Sequence, residues 1–249
     1  MSIDAASASG ARPARRDQTF FALSLLSVAI AVLGFGPTYW LGLSRGTFDA
    51  PPMVHLHGWA LYAWTFHFAI QSWLAASGQA VRHREWGLLG IALATIVVIF
   101  STLAAMRMGL LRESIGLGAE GRAFMIVPLG MMAAFAVCVT LAIANVKKPE
   151  VHKRLMPAAV AATLGAPIAR WFMVFALPPP PLEVTVLPAL LAMIPAFIAL
   201  GLDLVRRRKT TVSFAVAIAA IVALQVGAPV LGRTPAWDAA MVGLLSLAR

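Results

Sequence analysis

The sequence predicts an all-α integral membrane protein, a bundle of seven transmembrane helices. Three observations carry that prediction. Of the 249 residues, 60% are hydrophobic and only 12% are charged, with a mean hydropathy of +0.84. An ordinary soluble domain has about a quarter of its residues charged, and so few here leave a water-facing surface uncovered. The apolar residues also fall into stretches near the length of about 20 that crosses a hydrocarbon core. Finally, the basic residues gather on alternate connections, as the positive-inside rule requires.

The elements follow in order. Residues 1–19 form a flexible cytoplasmic leader, rich in Ala, Ser and Gly, whose Arg12, Arg15 and Arg16 precede the first apolar segment. That segment, about Phe20 to Leu41, is too long for the apolar part of a signal peptide and reads as a retained anchor closed by Tyr39 and Trp40. The second span, about Met53 to Ala75, follows Pro51 and Pro52, which suit a helix start. Further spans are expected at about Trp86 to Met106, Ala123 to Ala144, Leu155 to Leu177, Val184 to Val205 and Val212 to Leu231. The seven make one domain over residues 20–231, and residues 232–249 form a short tail, either an interfacial helix or a partly mobile segment.

With the N-terminus cytoplasmic, 13 of the 20 Lys and Arg residues fall on the inner side and six on the outer side, while Arg170 lies within a span. This predicts a bacterial inner-membrane protein with its C-terminus outside. The net charge of +10 is therefore a topology signal rather than a nucleic-acid footprint, and the bilayer is the first partner. A second membrane protein or a homo-oligomer is a further candidate partner. The lone cysteine, Cys138, can form no intrachain disulfide and reads as a small core residue.

The second span carries the chemistry-bearing residues. At 100° per residue, His57, Trp64, His67 and Gln71 share an arc of about 80°, with His55 on the opposite side. His67 lies about 15 Å deeper than His57. Polar groups at that depth must face the bundle or a wet cavity, because an unsatisfied polar group in hydrocarbon costs several kcal/mol. Arg170 lies about 10 Å short of the outer end of its own span, with Pro167 positioned to kink that helix. Together His57, His67, Gln71 and Arg170 are the candidate lining of an outer-half cavity for haem b, a metal ion or a quinone. Interhelical hydrogen bonding and, for Arg170, snorkelling to the headgroups are the plainer readings.

His55 and His57 are a candidate metal pair only if the segment after Pro52 is extended, since a helix points the two rings apart. The outer-loop acids Asp49, Glu113, Glu120 and Glu183 are available to such a site. His83 and His152, each opening a returning helix beside Arg and Lys, are inner-face candidates; their plainer role is contact with lipid phosphates. A central bis-histidine haem needs two histidines on different helices at similar depth. Only His67 is central, so the remaining haem arrangements are His83 with His152, or His67 with a methionine such as Met131 or Met173. Gln225 is an isolated polar residue of the last span, and Asp203 and Glu85 read as countercharges to the basic inner turns. The hairpins ending in Arg82-His83-Arg84 and Val151-His152-Lys153-Arg154 echo one another as parallel repeats.

HLHGW in the second span, VRHREWGLLG opening the third and PEVHKRLMPAAVAATLGAPIAR opening the fifth resemble a broad group of bacterial multi-pass membrane proteins with no established reaction. The resemblance covers roughly residues 53 to 208. It implies the topology and singles out His57, Gly58, Gln71, His83, His152, Arg154 and Arg170. Members of the group sometimes carry a further histidine before the last helix, where this chain reads RRRKTTVSF. Similarity to b561-type haem bundles is faint.

These readings lead to a redox or ligand-binding membrane protein, with a proton-coupled transporter or a structural subunit of a membrane complex as alternatives. The sequence contains no P-loop, dinucleotide-binding glycine pattern, nucleophile elbow or HExxH motif, which disfavours ATP-driven transport and ordinary hydrolysis.

Overall fold

Between Thr19 and Ser246 the chain is a succession of helices, and no strand occurs among the described residues. The computed structural model describes residues 18–175, 182–206 and 212–248. Helix α1 (Thr19–Gly34) runs through a π-helical turn (Gly36–Trp40) into α2 (Leu41–Ser44). Then come α3 (Pro52–Ala76), α4 (Ala80–Ser114), α5 (Gly118–Phe124), α6 (Ile126–Ala144), α7 (Pro149–Ala161) and α8 (Gly165–Phe175). A 3₁₀ turn (Leu182–Thr185) leads into α9 (Val186–Ala192), α10 (Ile194–Val205), α11 (Val212–Leu231) and α12 (Pro235–Ser246). The arginines of the leader, Arg207, Arg208, Lys209 and Arg249 lie outside the described residues.

Five segments are long and apolar enough to cross a membrane: Thr19–Ser44, Ala80–Ser114, Gly118–Ala144, Pro149–Val174 and Val212–Leu231. The pair Leu182–Ala192 and Ile194–Val205, bent by 43°, makes a sixth if counted as one span. The expected seven are thus matched by five or six. The helix that falls short is α3, which has 25 residues but loses hydropathy to its histidines and Gln71. Large apolar side chains cover much of the outer surface, with Leu88 71% and Val230 74% exposed. Apolar exposure on that scale suits contact with lipid rather than water.

Sequence explains where the helices stop. Gly78 and Gly116 end α3 and α4 with φ of +79° and +85°, a left-handed conformation that costs glycine little. At Gly78 the following amide, Gln79 N–H, donates to Leu74 C=O at 2.9 Å and closes the last turn. No proline interrupts Val81 to Arg107, so α4 runs 35 residues through Gly87 and Gly90, far beyond the expected span, and includes the basic turn and both Arg107 and Arg112. The fifth span breaks over Ala162–Leu164 rather than bending smoothly at Pro167. Proline lacks the amide that would continue the ladder to Thr163 C=O, and over the break Val160 C=O accepts from both Thr163 N–H at 2.9 Å and Thr163 Oγ1 at 2.7 Å. The tail forms α12, whose Met241 and Leu245 pack on Met125. Its start is capped by Thr234 Oγ1, which accepts from Trp237 N–H at 3.3 Å.

The core lies around α7. Leu155, Ala158, Ala159 and Val160 are fully buried, and their small size lets α1, α6, α10 and α11 approach closely. The turns collect at two ends. At one, Arg206 Nη1 donates to Thr19 Oγ1 at 2.9 Å and Lys153 Nζ lies 5.7 Å from the Phe20 ring centre. At the other, Arg233 pairs with Glu120 at 3.1 Å and with Glu183 at 2.5 Å.

Candidate functional site

The seam between α3 and α4 brings together several of the polar groups inside the bundle, among them His67, Gln71 and Ser101. The two helices form a hairpin, so residues descending α3 meet residues ascending α4. His57 Nδ1 lies 3.0 Å from Ser101 Oγ, a buried hydroxyl on α4. Ten residues deeper, His67 is 6% exposed and sits over Gly90; a Cβ at that glycine would lie 2.7 Å from His67 Nε2. One turn further, Gln71 is 8% exposed, and neither its Nε2 nor its Oε1 has a hydrogen-bond partner. Its main-chain carbonyl accepts a hydrogen bond from His83 Nδ1 at 3.2 Å. Trp64, between the histidines, is buried edge-on against Phe135 at 5.0 Å, and its Nε1 is likewise unpartnered.

His83 and His152 meet. Their ring centres are 6.2 Å apart and their planes cross at 83°. His152 Nδ1 lies 2.9 Å from Ala142 C=O, and His83 Nδ1 lies 3.2 Å from Gln71 C=O. A carbonyl only accepts, so both Nδ1 atoms carry the proton. In each hairpin the histidine opening the second helix thus ties back to the last turns of the first. The electrostatic influence of His83 reaches His67, and that of His152 reaches His83.

Arg170 is half-buried on α8 with its guanidinium 5.6 Å from the Phe35 ring centre, and its charge reaches His57. Among the described residues it makes no hydrogen bond or ion pair. His57 and Arg170 thus share one neighbourhood, while His67 and Gln71 lie deeper along the seam. An apolar groove of about 420 Å³ lies elsewhere, between α1 and α8, lined by residues such as Ile30, Leu33, Ile168 and Phe172. None of the four expected lining residues borders it.

The proposed extended stretch after Pro52 is helical, and it separates His55 from His57. His55 Nδ1 lies 3.1 Å from Tyr39 Oη and the ring packs on Phe48, whereas His57 faces Ser101. The two rings therefore do not converge. The outer acids expected to be available to such a site are largely engaged elsewhere: Glu113 with Arg122 at 2.9 Å, and Glu120 and Glu183 with Arg233. No group of three or more His, Cys, Asp or Glu suited to a metal occurs among the described residues. Gln225 Nε2 donates to Met131 S at 3.6 Å, which engages the methionine weighed as an axial ligand.

Sequence reading missed three things here. Ser101 and Gly90 carry no periodic signal by themselves and gain meaning only opposite His57 and His67. Arg154, 1% exposed, pairs in bidentate fashion with Asp203 and also with Glu150. Asp203 is the countercharge to a basic inner turn that the sequence suggested, since Arg154 belongs to that turn; what the sequence did not show is that the pair is buried. Neither protein-family models, curated proteins nor solved structures offer any match to this chain.

Proposed function

We propose that the chain is a seven-span redox or ligand-binding protein of the bacterial inner membrane, N-terminus cytoplasmic, with its ligand held along the α3–α4 seam. Helix α3 is the seventh span in this reading. Its 25 residues reach about 37 Å, enough for a core of about 30 Å, and three of the four groups that lower its hydropathy, His57, His67 and Gln71, share one side of it. His57, His67, Gln71 and Arg170 contact the ligand, and a second copy of the chain or another membrane protein is its partner.

The observation that carries the proposal is Gln71. Buried polar atoms in folded proteins are overwhelmingly hydrogen-bonded, and each exception calls for an explanation. Here a whole carboxamide is buried with both its donor and its acceptor unmet. A quinone headgroup, haem substituent or metal-bound water supplies the complementary donor or acceptor, and the neighbouring imidazole of His67 has no hydrogen bond of its own among the described residues.

The test is an absorption spectrum, metal analysis and quinone extraction on protein released mildly from its native membrane. A stoichiometric ligand that is reduced or lost in Gln71→Leu supports the reading. A preparation with no such ligand, or one whose ligand is unchanged by Gln71→Leu, overturns it.

A second reading, a proton-coupled transporter, is favoured by the succession of His67, then His83 bonded to the Gln71 carbonyl one turn further along α3, then His152 with its ring centre 6.2 Å from that of His83. It requires proton flux in liposomes that stops in His67→Ala while the fold is kept.

A further inference from the structure

We infer that His83 and His152 together coordinate one metal centre through their Nε2 atoms, at the end of the bundle where the two hairpins turn. The inference rests on the ligand-binding reading of the seam and gives it a metal centre at a definite place.

Three features support it. First, the histidines come from separate hairpins, so neither follows from the other's local sequence. Second, each Nδ1 proton is committed to a main-chain carbonyl, Gln71 for His83 and Ala142 for His152. Ligating histidines are held in this way by a second hydrogen bond that fixes tautomer and ring direction. It leaves Nε2 of each ring with its lone pair and with no other hydrogen bond among the described residues. Third, the two ring centres lie 6.2 Å apart, a separation that one metal ion with bonds to nitrogen of about 2.0 Å can bridge.

The metal is one that favours imidazole: iron, copper, nickel or zinc. Two protein ligands do not complete a coordination sphere, so the remainder comes from a porphyrin or from water. Haem iron and a bare ion share this chemistry and are separated by experiment.

The test uses the full chain in detergent, titrated in parallel with hemin and with Cu(II). Wild type should take up one equivalent of one of them. Hemin should give the spectrum of a six-coordinate low-spin haem, and Cu(II) an electron paramagnetic resonance signal with nitrogen coupling from two imidazoles. Whichever binds identifies the source. His83→Asn and His152→Asn keep a side-chain donor for Gln71 C=O and Ala142 C=O but remove Nε2. Each should weaken binding at least tenfold with the circular dichroism and melting temperature unchanged, and the double variant should be no weaker than the single ones. Binding that survives both single substitutions, or no uptake of either probe, overturns the inference. A native ligand that is lost in Gln71→Leu but retained in both Asn variants overturns the metal pair alone. One-equivalent binding that needs both histidines, in a preparation whose native ligand ignores Gln71→Leu, upholds the pair and removes the Gln71 reading instead.

Discussion

Arg154 grips Asp203 through two hydrogen bonds, Nε to Oδ2 at 2.5 Å and Nη2 to Oδ1 at 3.0 Å, joining α7 to α10 inside the bundle. Glu150, one turn before Arg154 on α7, accepts from its remaining terminal nitrogen. His152, two residues before Arg154, depends on the same scaffold, because it lies on the turn of α7 that Arg154 anchors.

Removing one member of that pair should be costly. Asp203→Ala leaves a guanidinium that is 1% exposed without its principal partner, and breaking a buried pair in this way costs about 3–5 kcal/mol. The double replacement Arg154→Met with Asp203→Leu should recover most of the loss. Denaturant or thermal unfolding in detergent reads both, and a double variant as unstable as Asp203→Ala would refute the pairing.

Gly90 and His67 should behave as one unit. A Cβ at Gly90 falls 2.7 Å from His67 Nε2, so the ring must move. Overpacking of this kind costs about 1–3 kcal/mol. Gly90→Ala should therefore destabilise in the wild-type background and be close to neutral alongside His67→Ala. A double-mutant cycle on melting curves measures the coupling, and simple additivity would contradict the contact.

Crossing of the membrane by α3 can be tested by chemical labelling. Cys138 is the one cysteine and is buried, so native protein should resist a maleimide until denatured. In a Cys138→Ala background, cysteines at Ser77 and Asn145 should label from one side of the membrane, and cysteines at Gly46 and Gly116 from the other. If Gly46 and Ser77 label from the same side, α3 does not cross.

At the opposite end, Arg233 links the start of α5 to the 3₁₀ turn through Glu120 and Glu183, which hold its guanidinium above its ordinary pKa. These charges are exposed and open to screening by salt. Arg233→Gln should speed hydrogen exchange of amides 118–124 and 182–185 at low salt, and high salt should narrow the difference from wild type. Equal exchange at low salt would show that the lattice holds nothing in place.

The fate of particular residues shows what was legible in sequence. Val212–Leu231 appears where the apolar run placed it, because a long uninterrupted stretch admits little besides a helix in lipid. The wheel through His57, His67 and Gln71 was readable for the same reason: helical geometry fixes the arc whatever surrounds it. The extent of α4 was not, since Val81-Arg82-His83-Arg84-Glu85 is as compatible with helix as with a polar turn. Hydropathy marks solvent preference, not helix ends.

By itself, then, the sequence determined the all-helical class, the apolar segments and the side of α3 that carries its polar groups, because each depends on composition and the repeat of a single helix. Only the tertiary structure decided that His83 meets His152, that Arg154 is spent on Asp203, and that Gln71 is buried with no partner. Those are relations between helices far apart along the chain, set by how their surfaces pack, and no local pattern encodes the distance between them.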